Sequence, residues 1–233
     1  MCLSFSAVFG SFVAAMEQLA LKARTVLKPV WGGILRFVYP KMAFPTYTKE
    51  VEKELYSSAD PVRFATLALA IERLEAEAVQ GAMVEVGVWR GATSRFLHNA
   101  APKRKLYLFD TFQGFSNGDA RFRDTSVELV KNLLGNSPNI EFRVGEFPAT
   151  AHGLENERFS LVMYDADLFE PASAALEFFY PRLLAGGYFF LHDFNNNEYD
   201  WAVRRAAAKF MCGKPERIVE IPDRRGTALF RKI

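Results

Sequence analysis

The chain has 233 residues, of which 50% are hydrophobic and 24% charged, and its formal net charge is +2 at pH 7. This balance is typical of a globular protein and excludes a disordered or collagen-like chain, and the small charge argues against nucleic-acid binding. The two cysteines, Cys2 and Cys212, lack the spacing of a zinc site or a disulfide framework, which favours a reducing compartment and hence a cytoplasmic protein.

Residues 1–55 are expected to form an N-terminal helical extension or lid ahead of one larger domain over residues 56–233. The run Cys2–Met16 is too short to span a bilayer, and no positive residue precedes it as in an export signal. We expect an apolar helical stripe in this region to pack on the domain or on a second subunit, which predicts a homo-oligomer, and an interfacial membrane helix is the alternative. The stripe consists of residues spaced by three and four: Phe5, Val8, Phe9, Phe12, Val13, Met16 and Leu19.

Helical patterns and short apolar runs alternate from Asp60 onward. Asp60 followed by Pro61 is typical of an N-cap and a first helical turn, and predicts a helix to about Ala78. Arg217–Ile221 and Ala228–Arg231 are too close together for a crossover helix and predict a terminal antiparallel hairpin. The pattern predicts a doubly wound α/β fold with a mostly parallel seven-stranded sheet, the Rossmann-like outline of a class I methyltransferase. Buried parallel strands are predicted over five apolar runs: Met83–Val88, Leu106–Phe109, Ile140–Val144, Leu161–Tyr164 and Tyr188–Leu191.

The first predicted strand continues into the loop Glu85-Val-Gly-Val-Trp-Arg-Gly91, and a helix is predicted after it. Ligands of doubly wound sheets bind beyond the carboxyl ends of the strands. A dinucleotide fingerprint needs a second glycine, where backbone approaches a pyrophosphate, but Trp89 stands at that position. S-adenosylmethionine (SAM) has no pyrophosphate, and Glu85 can pair with its ammonium while helix amides after Gly91 face its carboxylate. The loop therefore favours SAM over NAD.

The ends of the second and third strands suit the remaining parts of this cofactor. Asp110 is expected to accept hydrogen bonds from both ribose hydroxyls. Gly145 leaves room for an adenine, and Glu146 or Phe147 can line its pocket. Each loop alone is weak evidence, whereas three in the correct order on successive strands are stronger. The predicted cofactor site comprises Glu85, Gly87, Trp89, Arg90, Gly91, Asp110, Thr111, Phe112, Gly145, Glu146, Phe147 and Asp165.

The loop sequences resemble those of the macrocin O-methyltransferase family, whose TylF-, MycF- and NovP-like members methylate sugar hydroxyls of macrolide and aminocoumarin antibiotics. The resemblance covers roughly residues 55–210 and rests on four segments: Val84–Gly91, Asp110–Phe115, Asp165–Glu170 and Tyr180–Tyr188. In that family an Asp-x-Asp after the fourth strand supplies a metal ligand and then a general base, and an acidic pair after the fifth strand completes the metal site. The resemblance thus implies Asp165 as a ligand, Asp167 as the base, and His192 and Asp193 as the remaining ligands.

Such a site suits the methylation of a hydroxyl, because a divalent cation lowers the pKa of a bound hydroxyl while a carboxylate takes its proton. His192 stands where the family has an aspartate. Magnesium is the cation that the resemblance implies, but an imidazole ligand weakens a magnesium site and favours manganese, iron or zinc. His192 is alternatively the base of a metal-free site. A further alternative is that Asp165 and Asp167 only end a strand and cap the next helix.

These residues favour a SAM-dependent O-methyltransferase that acts on a hydroxylated small molecule, such as a sugar of a glycosylated natural product. N-methylation of a small amine is an alternative, since it needs a base but no metal. A non-catalytic methyltransferase fold that serves binding or assembly is another. The carboxylates beside the cofactor loop favour the enzyme, because a scaffold has no physical reason to carry them.

Overall fold

The computed structural model describes residues 48–58, 60–115 and 121–233. The apolar stripe predicted near the N-terminus lies outside these residues. The predicted division after residue 55 and the homo-oligomer therefore stay predictions. The first described helix, α1 (Lys49–Ser57), begins after Thr48, whose hydroxyl accepts the backbone N–H of Val51 at 3.3 Å.

A seven-stranded sheet with the order β3-β2-β1-β4-β5-β7-β6 forms the centre of the domain. Strands β1 to β5 run parallel, whereas β7 pairs antiparallel with both β5 and β6. The doubly wound, mostly parallel sheet with an antiparallel terminal hairpin is therefore confirmed. The strands are β1 (Ala82–Val86), β2 (Leu106–Asp110), β3 (Ile140–Val144), β4 (Phe159–Tyr164), β5 (Leu183–Leu191), β6 (Val219–Glu220) and β7 (Ala228–Arg231).

Helices cover both faces of this sheet. Neighbouring residues of a strand point to opposite faces, so Met83 packs in a core with α1 to α4, and Val84 in a second core with α5 and α6. Two separate hydrophobic cores, one on each side of the sheet, follow from this alternation. The other helices are α2 (Pro61–Ala76), α3 (Ala92–Ala100), α4 (Val127–Leu134), α5 (Phe169–Phe179) and α6 (Ala202–Met211), with 3-10 turns at Ala149–Ala151 and Tyr180–Arg182.

The predicted helix after Asp60 is present as α2. The Asp60 carboxylate accepts the backbone N–H of Arg63 at 3.3 Å, and Pro61 occupies the first helical position. The helix ends at Ala76, slightly before the predicted end, because Glu77 leaves the helical conformation. Among the described residues, no helix has both the length and the apolar character needed to cross a membrane.

Strand β5 is longer than predicted and begins at Leu183. A pair of glycines in its middle is typical of a turn, but here the pair lies within a register shift of β5 against β4. Gly186 adopts φ +83°, a conformation that other residues rarely take. Strand β6 is shorter than predicted, since only Val219–Glu220 pair with β7 at the sheet edge.

The chain turns in opposite directions along the sheet from β1, because β2 lies on one side of β1 and β4 on the other. Adjacent loops at such a switch point leave a crevice beyond the carboxyl ends of the strands. The loops after β1, β2, β4 and β5, which carry most of the predicted site residues, meet at this edge.

Candidate active site

The loop after β1 packs closely on the end of β4. A Cβ atom on Gly87, which has φ +92°, would lie 2.2 Å from the backbone oxygen of Asp165. Two features therefore require glycine here, the backbone conformation and the close approach of the β1 loop to the segment after β4. This contact brings the predicted cofactor loop directly beside the predicted metal and base residues.

The carboxylate of Asp110 holds this loop in place. Its Oδ2 accepts the backbone N–H groups of Val88 at 2.7 Å and Trp89 at 2.8 Å, and its Oδ1 accepts that of Phe112 at 2.7 Å. A carboxylate can accept about four hydrogen bonds, so capacity remains for a ligand hydroxyl. Asp110 thus has an anchoring role that the sequence did not predict, while its contact with ribose stays a prediction.

The side chains of Trp89 and Arg90 turn toward the segment before α4. The Trp89 indole Nε1 donates to Asp124 at 2.7 Å, and Arg90 pairs with the other oxygen of Asp124 at 3.1 Å. The turn after β2 is closed by Thr111, whose hydroxyl donates to the backbone oxygen of Gly114 at 2.8 Å. Asp124 was not predicted, because it lies 34 residues from Arg90 in a segment without a recognisable motif.

Glu85 lies almost fully buried at 1% exposure and accepts a hydrogen bond from the Ser94 hydroxyl of α3. Burial raises the pKa of its carboxyl well above the ordinary value, against the opposing effect of the Ser94 hydrogen bond. The carboxyl therefore sits beneath the loop and faces α3. Its predicted pairing with the cofactor ammonium remains a prediction.

In the loop after β3, the backbone of Gly145 and the side chain of Phe147 lie in different places. The Gly145 N–H donates to the backbone oxygen of Asp110 at 2.9 Å, which brings the ends of β2 and β3 together. Glu146 is exposed, whereas the Phe147 ring stacks on Phe179 of α5 with centroids 5.4 Å apart. Gly145 thus lies beside the predicted ribose residue, and Phe147 also packs into the core.

Four predicted catalytic and metal residues converge at the ends of β4 and β5. The Nδ1 atom of His192 lies 2.6 Å from Oδ1 of Asp165 and 2.5 Å from Oδ2 of Asp193. Asp167 and Asp193 both adopt left-handed backbone conformations, with φ of 57° and 56°, and both are buried. Helix α5 begins after Leu168 and has no side-chain cap, so the described structure gives Asp165 and Asp167 no capping role there.

Burial and mutual repulsion shift the pKa values of this cluster. Burial, and then the negative charges of Asp193 and Asp165, raise the pKa of Asp167 to about 8. Burial alone lowers the pKa of His192, but the charge and hydrogen bonds of Asp165 and Asp193 outweigh it and raise that pKa to about 10. Burial raises the pKa of Asp193, but the hydrogen bond and charge of His192 outweigh this effect and hold it below its ordinary value. A proton is therefore held between His192 and its carboxylate neighbours at neutral pH.

Residues from distant segments complete the cluster. Arg63 of α2 pairs with Oδ2 of Asp165 at 3.2 Å, and Arg225 approaches Oδ1 of Asp193 at 3.8 Å. The Asn196 amide donates to the same Oδ1 of Asp193 at 2.8 Å. Sequence reasoning missed both arginines, since a charged residue in a first helical turn or in a hairpin turn is ordinary.

The donor set fits a divalent cation. Ligand atoms of Asp165, His192 and Asp193 all lie within 4.8 Å of one another, and together they offer two carboxylates and one imidazole. The ligand atoms of a second group, Asp60 with His192 and Asp223, also lie within 4.8 Å of one another. The carboxylates of both groups already accept hydrogen bonds, those of Asp60 and Asp223 from Arg63, Arg224 and Thr227. The first group is the better candidate because Asp165 packs against the cofactor loop at Gly87.

The sequence profile of the family described as macrocin-O-methyltransferase (TylF) matches residues 55–216 of the chain. The chain belongs to the macrocin-O-methyltransferase family. The resemblance inferred from the loop motifs is thus confirmed. One relative is the 8-demethyl-8-(2,3-dimethoxy-alpha-L-rhamnosyl)-tetracenomycin-C 4'-O-methyltransferase of Streptomyces olivaceus, which is 27% identical over 156 residues. The match covers 57% of this chain and 60% of the relative, so less than two thirds of that relative is spanned.

Solved methyltransferases share the fold. The O-methyltransferase NovP is 21% identical with a TM-score of 0.60, and the match covers 89% of this chain and 97% of NovP. An O-methyltransferase from Bacillus cereus in complex with SAH is 14% identical with a TM-score of 0.55, over 88% of this chain and 100% of that chain. These similarities show the class I methyltransferase fold for this macrocin-O-methyltransferase family member.

Proposed function

We propose that the protein is a SAM-dependent O-methyltransferase that methylates a hydroxyl of a small molecule, a sugar of a glycosylated natural product. The observation that carries this proposal is the convergence of Asp165, Asp167 and Asp193 beside the Gly87 loop. Family membership supports methyl transfer as the reaction class. An acidic cluster next to the cofactor loop supplies what oxygen methylation needs, which is removal of a proton from a weak nucleophile.

Asp167 is the proposed general base. A base works best when its pKa lies near the pH at which it acts, and the pKa of Asp167 is raised to about 8. His192, with a pKa of about 10, carries its proton at neutral pH in this arrangement and is a poor base. We therefore propose that Asp167 removes the proton and that His192 orients the carboxylates of Asp165 and Asp193.

Asp165, His192 and Asp193 would hold a divalent cation, which supplies Lewis-acid lowering of the acceptor hydroxyl pKa when bound. The imidazole in this set favours manganese, iron or zinc over magnesium. The chain's own contribution is to fix the three donors, because Arg63 and Asn196 hold the two carboxylates from outside.

The Gly87–Gly91 loop and Asp110 are proposed to bind SAM, whose sulfonium methyl is the group transferred. Asp110 keeps the loop amides in place and retains acceptor capacity for a ribose hydroxyl. Gly145 lies directly beside Asp110 and leaves space at the end of β3. The position of the loop at the switch point of the sheet supports this assignment.

A cavity of about 430 Å³ is the proposed binding site of the acceptor sugar. Its lining includes Asn195, Asn196, Arg224 and Arg225, whose amide and guanidinium groups suit a hydroxylated ligand. It adjoins the acidic cluster, since Asn196 and Arg225 also contact Asp193. The acceptor of the Streptomyces olivaceus relative is a rhamnosyl tetracenomycin, which supports a glycoside here.

A methyl-transfer assay with labelled SAM tests this function. The panel contains glycosylated metabolites, their deoxy-sugar analogues and small amines, each with and without EDTA. Transfer to a glycoside hydroxyl supports the proposal, and transfer only to amines would replace it by N-methylation. Loss of turnover in EDTA, with recovery on added manganese, would support the metal. Binding of glycosides without any transfer would favour a non-catalytic module.

We further propose that the protein is cytoplasmic and forms a homo-oligomer through residues 1–45. The pattern of two widely separated cysteines supports the first statement, and the apolar stripe supports the second. Light scattering of the full chain and of a truncation to residues 48–233 tests the oligomer, which the truncation should convert to a smaller or less soluble species.

A further inference from the structure

Arg63 is a largely buried cation with unused hydrogen-bonding capacity at the edge of the acidic cluster. Its side chain is 13% exposed, and its Nη1 atom pairs with Oδ2 of Asp165 at 3.2 Å. The Nε atom is buried and has no hydrogen-bond partner among the described residues. Leaving such a donor unpaired is unfavourable, so the site suits an acceptor that the described residues do not supply.

The position of Arg63 indicates which acceptor this is. Its partner Asp165 packs on the cofactor loop, because the Asp165 backbone oxygen would lie only 2.2 Å from a Cβ on Gly87. Arg63 is thus paired with the residue on which this loop packs. Asp110, at the end of β2, marks the proposed ribose region on the other side of β1. The two charged groups thus mark opposite ends of the proposed cofactor site.

A carboxylate is the natural ligand for the remaining edge of this guanidinium. The Nε and Nη2 donors lie side by side and can bind both oxygens of one carboxylate in parallel. Asp165 contacts Nη1, and Nε has no partner among the described residues, so this edge can receive a ligand. SAM carries one carboxylate, on its methionyl group, which lies at the end of the molecule away from the ribose.

We propose that Arg63 binds the carboxylate of the methionyl group of SAM through its Nε edge while Asp165 orients it through Nη1. The proposal rests on the proposed function, since it takes SAM as the cofactor. It assigns a cofactor-binding role to helix α2, which precedes the strands that carry the other predicted cofactor residues. An anionic group of the acceptor is the competing ligand, and measurements without acceptor separate the two.

Calorimetric titration of the full chain with SAM and with decarboxylated SAM tests the assignment in the absence of acceptor. The wild type should bind SAM more tightly than the decarboxylated compound. Arg63→Gln should weaken SAM binding by about 10- to 100-fold, the range of a charged hydrogen bond, and leave the decarboxylated compound nearly unchanged. Arg63→Lys keeps the charge beside Asp165 but not the paired donors, so its affinity for SAM should be intermediate.

Arg73→Gln is the matched control, because Arg73 lies on the same helix but pairs with Glu77 at the surface. It should bind both compounds as the wild type does. Equal weakening of both compounds by Arg63→Gln would show that Arg63 only supports Asp165, and unchanged SAM affinity would remove it from the site. Either result overturns the assignment but leaves the proposed function intact. A wild type that binds neither compound would instead overturn the proposed function.

Discussion

The Nδ1 atom of His192 lies 2.6 Å from Oδ1 of Asp165, so the proton of a charged imidazole can bridge the residues that follow β5 and β4. Oδ2 of Asp193 lies 2.5 Å from the same nitrogen. Burial lowers the pKa of the imidazole, but the two carboxylates outweigh this effect and raise it to about 10. A cation that binds here has to displace this proton.

Cation affinity should therefore rise with pH. Each bound ion displaces about one proton below pH 10, so the apparent affinity for manganese should increase about tenfold per pH unit between pH 6 and 9. Titration calorimetry in two buffers of different ionisation enthalpy measures the released proton directly. An affinity that does not change with pH would mean that the imidazole is not a ligand.

Replacing His192 by aspartate restores the acidic pair that the family resemblance implies. If the residue is a ligand, His192→Asp should keep or raise the turnover supported by magnesium, because oxygen ligands suit that ion better. Turnover at saturating magnesium and at saturating manganese measures the change in metal preference. His152→Asp, an exposed position, is the control. A variant that is inactive with every cation, yet folded, would identify His192 as the base instead.

Asp110→Ala should weaken SAM binding by at least about tenfold, because it removes an acceptor for ribose and also releases loop amides. Calorimetry with SAM measures the loss. Asp124→Ala is a matched control, since Asp124 contacts the side chains of Trp89 and Arg90 but none of the loop amides. Equal effects of the two substitutions would mean that loop side chains, and not Asp110, decide the affinity.

The elements that sequence predicted well are those fixed by local patterns. Buried parallel strands need apolar runs, so β1, β2 and β4 were found within two residues of their observed bounds. The bounds of β3 were also predicted, but its predicted burial was wrong, because β3 lies at the edge of the sheet and is only partly buried. The first half of β5 was not predicted, because its glycine pair resembles a turn and only pairing with β4 shows that the strand continues. The position of each loop at one sheet edge followed from the topology alone.

Contacts between distant segments could not be predicted from the sequence. Arg63 and Arg225 carry no local signal, because only the fold brings the start of α2 and the turn before β7 to the acidic cluster. The anchoring role of Asp110 was missed for a similar reason. A carboxylate after β2 predicts a ligand contact, but whether it also holds the neighbouring loop depends on a distance between strands.

Gly87→Ala should destabilise the protein far more than the same change at a glycine in open space. A Cβ at Gly87 would lie 2.2 Å from the Asp165 backbone oxygen, whereas nothing lies within 4 Å of a Cβ at Gly153. Both glycines have positive φ, +92° and +87°, so the conformational strain of about 1 kcal/mol is common to both. Denaturant unfolding of the two variants isolates the steric effect. Equal losses of stability would show that the loop can move away from β4.

Asp167→Asn should nearly abolish turnover and leave SAM affinity unchanged. The amide is close in size and tolerates the left-handed backbone at φ 57°, but it cannot take the proton, and loss of a general base typically costs about 10²- to 10⁴-fold. The pKa of Asp167 is about 8 without a cation, and a cation that offsets the charges of Asp165 and Asp193 should lower it, so wild-type turnover should rise with pH to a plateau at or below about 8. Single-turnover rates from pH 6 to 10, with calorimetry of SAM, measure both effects.

The same substitution should stabilise the fold at alkaline pH. The pKa of Asp167 is raised from 3.8 to about 8 by burial and then by Asp193 and Asp165, so its contribution to stability is lost as pH rises from about 4 through 8. Asn cannot ionise, so the Tm of Asp167→Asn should exceed that of the wild type by an amount that grows up to pH 8 and is constant above it. Asp200→Asn, a left-handed aspartate whose side chain is 81% exposed, is the control and should show no such trend. Full turnover of Asp167→Asn in EDTA, without the alkaline gain in Tm, would show that Asp167 is neither the base nor the buried acid described here.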